Sequence, residues 1–461
     1  MKRALVIGGA SSGSGKTTFS IGLMNALSKR GFEVAPFKVG PDYIDPMFHR
    51  HVTGVSSYNL PVWMVKDEDI QFLYHNRFKT QNFAVIEGVM GYYDGKFTTG
   101  FEGSTAHVAE LLQVPAIIIF DASSMSLSAA AIVHGFSTFK ENSMIKGVVL
   151  NNVASDMHYQ LLKTGIENFT NVKCYGYLKR DSKIALGSRH LGLLQAEEIE
   201  DLDQKIEYIT EQIEATIDLE GIIADFVVTA FDDFSKFDEN LLKLKLLKDK
   251  VLEIGGLNIG IAQDKAFSFY YDENIETLKE IGVNLIPFSP LQDDFIPECD
   301  GVYIGGGYPE IFSKEISDNQ RFLADLNAKL SRGLPCYAEC GGLMFLTNSI
   351  EFNDVVYPMV GFFNAKSKMT SKLQRFGMTE VLLENFLGYD ISFRAHEFHK
   401  SKIDDLDPLV KKYKVSKGSM TWKCGYQNQN TLATYSHHHF YSNINFLELL
   451  IDLWGIRKNR I

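Results

Sequence analysis

The chain is short of cysteine, of long apolar runs and of positive charge. Its five cysteines are odd in number and scattered, which argues against the disulfide framework of a secreted domain and favours a reducing, cytoplasmic environment. No apolar run approaches the length of a membrane-spanning helix, since even residues 114–120 have only the length of a buried strand. We therefore expect neither a membrane partner nor a disulfide-stabilised fold.

Basic side chains are outnumbered, with 46 lysines and arginines against 57 aspartates and glutamates and a formal net charge of −11. A nucleic-acid-binding surface needs an excess of positive charge, so we expect no nucleic-acid partner. An anionic substrate must then be met by local positive charge. What the chain has in quantity is length and apolar content: 461 residues, 45% of them hydrophobic, predict two or three globular domains.

The first motif is a glycine-rich turn at residues 10–18, between an apolar run and a helical pattern. Strand, turn and helix in this order are the context of a phosphate-binding loop, whose backbone N–H groups and helix N-terminus surround phosphate oxygens. Lys16 would reach the β- and γ-phosphates of ATP, and Thr17 would offer its hydroxyl to Mg²⁺. The predicted nucleotide-binding residues are Gly13, Ser14, Gly15, Lys16, Thr17 and Thr18.

Two positions of this loop depart from common patterns. Ala10 stands where the first glycine of the standard pattern falls, and Ser11 stands where the deviant loops of partitioning ATPases carry a lysine. The alternative interpretation is a plain Gly/Ser turn. The strand before the loop and the helix after it favour a nucleotide site.

Acidic side chains follow two predicted strands of the same half. Asp42 and Asp45 come after the strand 34–39, and Glu87 ends the strand 83–87. Ligands of open α/β sheets bind at the carboxyl ends of the strands, so Asp42 or Asp45 could hold Mg²⁺ or orient a reacting carboxylate, unless the two form only a turn. Glu87 has the position of the second metal anchor of phosphate-loop enzymes. The predicted metal ligands are Thr17, Asp42 and Glu87, and the predicted catalytic carboxylate is Asp45.

Strands alternate with helices along the first half, which predicts a parallel sheet covered on both faces. Asn152 comes at the end of a further predicted strand and is our candidate for a contact to the nucleotide base, with a plain turn as the alternative. Residues 201–256 have helical periodicity and are first acidic, then lysine-rich; we interpret them as helices packing on the first domain followed by a linker. The predicted domains are residues 1–250 and 251–461.

The second half restarts the alternation of strands and helices and centres on residues 335–343, where a strand runs into a tight turn that bears Cys340. This is the pattern of a nucleophile elbow with sulfur in place of oxygen. The N-terminus of the following helix favours the thiolate. The N–H of Gly341 would form half of an oxyanion hole, and the other half would come from the loop 305–309, with Gly307 as our candidate.

A thiol nucleophile needs a base, and three consecutive histidines follow the predicted strand 431–435. His437 or His439 suits a Cys–His pair. Neighbouring side chains on a strand point to opposite faces, so at most these two could share a ligand. The alternative is a buried thiol and a surface run of histidines.

Taken together, these motifs resemble the cobyrinate a,c-diamide synthase family, glutamine-dependent amidotransferases of the cobalamin pathway. The resemblance covers essentially the whole length. It is carried by the loop described above and by residues 37–46, 87–91, 189–193 and 306–310. It implies an α/β fold in two parts: an N-terminal phosphate-loop NTPase-like domain similar to dethiobiotin synthetase, where a serine such as Ser11 is normal, and a C-terminal class I glutamine amidotransferase domain, which is flavodoxin-like.

The family pattern makes His437 the base of a Cys–His dyad, because His439 stands where triad-type relatives carry a glutamate. Three positions depart from the family: Pro61 replaces an aspartate, Asn152 an arginine and Ala395 a glycine. The last substitution is expected to tighten a turn.

The resemblance implies a reaction. L-glutamine is hydrolysed at Cys340 through a thioester, ATP phosphorylates the a and c carboxylates of cobyrinic acid, and ammonia displaces phosphate to give the amides. Mg²⁺ would accompany ATP, and a homodimer is an open expectation. One alternative is a nickel-sirohydrochlorin a,c-diamide synthase of the coenzyme F430 pathway. Another, from a different class, is a non-catalytic switch ATPase with a binding module.

Overall fold

The computed structural model describes residues 1–96, 99–181, 195–229 and 237–458. The chain divides into two compact units, Met1–Phe237 and Asp238–Ile461. Within the described residues, no helix has both the length and the apolar character needed to cross a membrane.

The described residues of the first unit form a sheet of eight strands, seven of them parallel, in the order β3-β2-β4-β1-β5-β6-β7, with β8 antiparallel to β1. Parallel sheets bury both faces, which explains the continuous apolar character of β4 and β5. The strands are β1 Lys2–Gly9, β2 Val34–Val39, β3 Tyr58–Leu60, β4 Phe83–Glu87, β5 Ala116–Asp121, β6 Ile145–Val153, β7 Lys173–Lys179 and β8 Val227–Val228.

Helices connect these strands and cover the sheet. They are α1 Lys16–Lys29, α2 Asp45–Thr53, α3 Asp67–Phe78, α4 Thr105–Leu112, α5 Ser128–Thr138, α6 Asp156–Phe169, α7 Leu202–Thr216 and α8 Leu219–Asp225. Helix α7 packs on α1 as predicted: a Cβ at Gly22 would lie 2.6 Å from Cγ2 of Ile209 and 2.8 Å from Cγ1 of Ile213. Both isoleucines belong to the buried core that contains Phe19 and Leu23 of α1.

The lysine-rich stretch is a helix, α9 Asp238–Glu253, and not the linker that its composition suggested. It belongs to the second unit, where Leu244, Leu247 and Val251 are buried. Lys250 forms ion pairs with Glu448 at 3.0 Å and Asp452 at 2.8 Å, so part of the lysine content serves packing within this unit. The predicted boundary after residue 250 falls inside this helix.

The second unit contains a nine-stranded sheet and a separate four-stranded sheet. Its strands are β9 Leu257–Ala262, β10 Val283–Phe288, β11 Gly301–Ile304, β12 Cys336–Glu339, β13 Thr347–Phe352, β14 Val355–Pro358, β15 Phe363–Met369, β16 Arg375–Phe386, β17 Tyr389–His399, β18 Ser401–Asp405, β19 Val410–Lys417, β20 Met420–Asn428 and β21 Thr431–Thr434. Its further helices are α10 Asp272–Glu280, α11 Ser313–Asp318, α12 Gln320–Ser331, α13 Gly341–Leu346 and α14 Asn445–Gly455.

The large sheet joins a parallel part to an antiparallel part. The parallel strands lie in the order β10-β9-β11-β12-β21, which is the 2-1-3-4-5 order of flavodoxin-like sheets. Strands β20, β19, β16 and β17 continue the sheet in antiparallel pairs. Ala395 lies within β17 opposite Thr379, so the turn expected there from the sequence is wrong.

The packing of α7 on α1 can be tested by Ile209→Ala. The change leaves a cavity beside Gly22, and we expect it to lower the free energy of unfolding of the first unit by about 3 kcal/mol. Hydrogen exchange at increasing urea concentrations, followed in peptides that contain β1, measures the free energy of unfolding of the first unit alone. Glu211→Ala, on the exposed face of the same helix, should change little. Equal effects of the two substitutions would contradict the packing described.

Candidate functional site

The glycine-rich turn follows β1 and opens α1, and its backbone has the form of a phosphate-binding loop. Gly13 and Gly15 have φ of 75° and 102°, a region that side chains disfavour. The space beside Gly9 is taken by the loop side chains, since a Cβ there would lie 2.4 Å from Oγ of Ser14 and 2.8 Å from Nζ of Lys16. The backbone is thereby brought close to the groups that would surround phosphate oxygens.

The side chains of Lys16 and Ser14 are positioned to bind an anion within this loop. The Nζ of Lys16 donates to the carbonyl oxygens of Ser11 at 3.0 Å and Met90 at 2.6 Å. Burial, together with the nearby charge of Lys38, lowers the pKa of Lys16 to about 8. The Oγ of Ser14 is buried and has no hydrogen-bond partner among the described residues. A phosphate group would stabilise both side chains, which is the fit that a nucleotide site requires.

Glu87, at the end of β4, is the centre of a buried network. Its Oε1 accepts hydrogen bonds from Oγ1 of Thr17 at 2.7 Å and Nζ of Lys38 at 3.0 Å. Its Oε2 lies 2.7 Å from Nε2 of His49, whose Nδ1 lies 2.9 Å from Oγ of Ser57. Burial opposes the charge of Glu87, but Lys38 and His49 outweigh it and lower the pKa of this carboxyl group.

The two aspartates of the following loop have different roles. Nζ of Lys38 lies 2.5 Å from Oδ2 of Asp45 and 3.0 Å from Oε1 of Glu87. Lys38 is therefore a single cation between two carboxylates. Burial disfavours the charge of Lys38, but Asp45 and Glu87 outweigh it and raise its pKa. Asp42 itself caps the start of α2, since its Oδ1 accepts from the N–H groups of Ile44 at 2.8 Å and Asp45 at 3.2 Å.

The described residues contain no group of three or more His, Cys, Asp or Glu side chains arranged as metal ligands. A Mg²⁺ bound with a nucleotide takes only one or two protein ligands and completes its shell with phosphates and water. The contact between Thr17 and Glu87 brings a hydroxyl and a carboxylate to one point beside the loop, as such a site needs.

Asn152 donates from Nδ2 to Oδ2 of Asp121 at 2.8 Å, and its contact to a base stays a prediction. The preceding Asn151, which we did not single out, donates to the loop carbonyl of Ser14 at 3.0 Å. His49 and Ser57 were also missed, because nothing in their spacing signals a contact to Glu87. The motif at residues 189–193 lies outside the described residues.

In the second unit, Cys340 lies between β12 and α13 with φ of 48° and ψ of −102°. A non-glycine residue in this region is strained, as expected of a nucleophile elbow. The strain is held by hydrogen bonds: the N–H of Cys340 donates to the carbonyl of Thr434 at 2.6 Å, and the N–H of Met344 donates to the carbonyl of Cys340 at 3.2 Å.

The two candidate oxyanion donors are adjacent. A Cβ at Gly341 would lie 3.2 Å from the backbone N of Gly307, and the N–H of Gly342 donates to the carbonyl of Gly305 at 3.1 Å. Gly307 has φ of 152°, and a Cβ there would lie 2.1 Å from the carbonyl oxygen of Ala266. Only glycine therefore fits at position 307, against the backbone of Ala266.

The three consecutive histidines are all buried and have different surroundings, so the alternative of a surface run is wrong. His437 is hydrogen-bonded to Cys340; burial opposes its charge, but Cys340 and Glu339 outweigh this and raise the pKa of His437 to about 10. His439 instead pairs with Glu273, Nε2 to Oε1 at 2.7 Å. The ring of His438 packs against aromatic side chains, and burial lowers its pKa.

A phosphate-binding loop on one parallel sheet and a Cys–His elbow on a flavodoxin-ordered sheet define a glutamine-dependent amidotransferase with a nucleotide-binding domain. Two family models agree with this class. Residues 5–194 match a CobQ/CobB/MinD/ParA nucleotide binding domain, and residues 258–444 match a CobB/CobQ-like glutamine amidotransferase domain. The predicted two-part α/β fold is thereby confirmed.

Similar chains carry one particular name. A cobyrinate a,c-diamide synthase of Listeria innocua is 43% identical over 98% of this chain and 99% of its own length. One of Clostridium tetani is 44% identical over 98% of this chain and 100% of its own. One of Caldanaerobacter subterraneus is 42% identical over 96% of both. The chain belongs to the cobyrinate a,c-diamide synthase family, whose members are amide-forming ligases that use glutamine.

Lys38→Met tests the buried network, because it leaves two carboxylates without their cation. We expect a loss of about 3–5 kcal/mol of stability at pH 7. Carboxyl groups buried without a cation bind protons more readily when folded, so the deficit should shrink as the pH falls from 7 to 5. Thermal unfolding at the two pH values measures both effects.

The matched control is Lys29→Met, which removes an exposed ion pair with Glu207 in the same unit. It should cost under about 1 kcal/mol at both pH values. A Lys38→Met variant no less stable than this control would contradict the role given to Lys38.

Proposed function

We propose that this chain catalyses the ATP- and glutamine-dependent amidation of the a and c carboxylates of cobyrinic acid, in keeping with the relatives' name of cobyrinate a,c-diamide synthase. The proposal rests on one observation: the chain contains both a nucleotide site and a glutaminase site, and the reactive groups within each are in contact. Cys340 contacts His437, and Glu87 contacts Thr17 beside Lys16. A binding module without chemistry needs neither a strained thiol nor a base beside it.

The second unit would release ammonia. The Cys340 thiolate attacks the side-chain amide carbon of glutamine, and the N–H groups of Gly307 and Gly341 stabilise the resulting oxyanion. His437 gives its proton to the departing ammonia and then takes one from the water that hydrolyses the thioester to glutamate. The pKa of His437, raised to about 10, keeps the imidazolium available at neutral pH.

The first unit would activate the acceptor. A carboxylate of the substrate attacks the γ-phosphorus of ATP, ADP leaves, and ammonia then displaces phosphate from the acyl phosphate. Lys16 and the N–H groups of residues 13–18 stabilise charge on the phosphoryl group. Asp45 would orient the reacting carboxylate. Thr17, Asp42 and Glu87 would hold Mg²⁺, which neutralises phosphate charge when bound.

Several finer expectations belong to the same proposal. A cytoplasmic enzyme with small-molecule substrates and without a nucleic-acid partner fits the acidic composition. The contact of Asn152 with the nucleotide base, the homodimer and the roles of residues 1–250 and 251–461 as synthetase and glutaminase complete it.

Cys340→Ala separates the two half-reactions. The variant should lose glutamine-dependent amidation of cobyrinic acid by at least about 10³-fold, because it lacks the thiolate that attacks glutamine. With ammonia as the nitrogen source it should keep the wild-type rate. Mass spectrometry of the corrin, with Mg-ATP present, counts the acid-to-amide conversions.

Lys16→Ala should abolish amidation with either nitrogen source.

Parallel reactions with cobyrinic acid and with nickel-sirohydrochlorin test which tetrapyrrole is the substrate. Two successive amidations of cobyrinic acid are the expected result. Amidation of the nickel tetrapyrrole alone would overturn the substrate assignment. ATP hydrolysis without any amidation would overturn the amidotransferase and favour a switch ATPase.

A further inference from the structure

The position that carries the acid in triad-type glutaminases is occupied by His439, two residues after the base. His439 is already paired with Glu273, and both side chains are buried. His439 is therefore paired with a residue of α10 and is not the acidic partner of His437. An imidazole that acts as a base in a buried site still needs an acceptor for its second ring nitrogen.

Glu339 supplies a carboxylate at the required point. It ends β12, directly before the nucleophile, and its Oε2 lies 3.5 Å from Nδ1 of His437. Glu339 is 1% exposed and His437 3%, so water does not screen the pair. A carboxylate this deeply buried is retained only with compensating partners.

The other oxygen of Glu339 fixes the orientation of the side chain. Its Oε1 accepts from the phenolic O–H of Tyr337 at 2.8 Å and from the backbone N–H of His438 at 3.3 Å. With Oε1 occupied, Oε2 is directed at the ring of His437. Hydrogen bonds thus fix one oxygen of the carboxylate, and the other oxygen faces the ring of the base, His437.

We propose that Glu339 is a positioning residue for glutamine hydrolysis, which orients His437 from the nucleophile's own strand, so that the centre is a Cys–His–Glu triad and not a dyad. The inference rests on the proposed glutaminase activity. A carboxylate at Nδ1 holds that nitrogen as N–H and leaves Nε2 for the thiol and the leaving ammonia.

The charges around His437 support this role. Cys340 faces it from the elbow, Glu339 from β12, and His396 from β17, where its backbone pairs with that of His437. Burial and the charge of His437 lower the pKa of His396 to about 3, so His396 adds no positive charge. Replacing Glu339 by a neutral group should therefore lower the pKa of His437.

Glu339→Gln is the sharpest test. The amide oxygen can still accept from Tyr337 and His438, but the amide nitrogen cannot accept from Nδ1 of His437. We expect kcat for glutamine hydrolysis to fall about 100-fold with KM unchanged. The alkaline limb of the pH profile should move down by about one unit, because the imidazolium loses its anionic neighbour.

Glu339→Asp keeps the charge on a shorter side chain and should restore part of kcat and the position of the alkaline limb. Glu280→Gln, an exposed glutamate of the same unit, is the control and should match the wild type. All assays use the full chain with Mg-ATP and cobyrinic acid. Ammonia-dependent amidation by the same preparations reports that the first unit is intact.

Wild-type kcat and pH profile in Glu339→Gln would overturn the inference. So would a loss of activity with an unmoved alkaline limb that Glu339→Asp shares equally, because that pattern belongs to a purely structural side chain. A wild-type protein that hydrolyses no glutamine would instead refute the proposed function, and the wild-type assay alone distinguishes this case.

Discussion

One buried ammonium group holds the acidic side of the nucleotide site together. Lys38 lies between Asp45 and Glu87, and without it two carboxylates would be buried at a cost of several kcal/mol. Because Lys38 offsets that cost, Glu87 can keep its charge and stay in contact with Thr17 at the start of α1. The local positive charge that an acidic protein needs for an anionic substrate is left to Lys16, whose Nζ is held by the carbonyl oxygens of Ser11 and Met90.

The second unit depends on a different constraint: it must stabilise the strained backbone at Cys340. The left-handed conformation of Cys340 is unfavourable alone, and the hydrogen bond from its N–H to Thr434 of β21 stabilises it. Strand β21 ends at Thr434, shortly before His437 in the chain. The order of the parallel strands therefore fixes the distance between thiol and base, because β12 and β21 are neighbours in the sheet.

Much of both sites could be predicted from local patterns. The phosphate-binding loop and the elbow each consist of neighbouring residues with glycines that the backbone geometry requires, as the positive φ of Gly15 and the close backbone contact at Gly307 illustrate. His49, Ser57 and Glu339 escaped prediction because their roles depend on partners from other elements. Glu339 adjoins the nucleophile in the chain, yet its contact with His437 exists only after β12 and β21 pair.

The sequence by itself determined the two α/β units, the phosphate-binding loop and the Cys340 elbow, since hydrophobic periodicity and glycine spacing act over short distances. Strand alternation leaves His437 and His439 on one face, so apart from the family resemblance only the tertiary structure distinguishes them: His437 meets the thiol and His439 pairs with Glu273. The tertiary structure also decided that α9 packs with the second unit, since the burial of its leucines depends on residues distant in the chain. Local chemistry is encoded in adjacent residues, whereas partnership between side chains is set by packing.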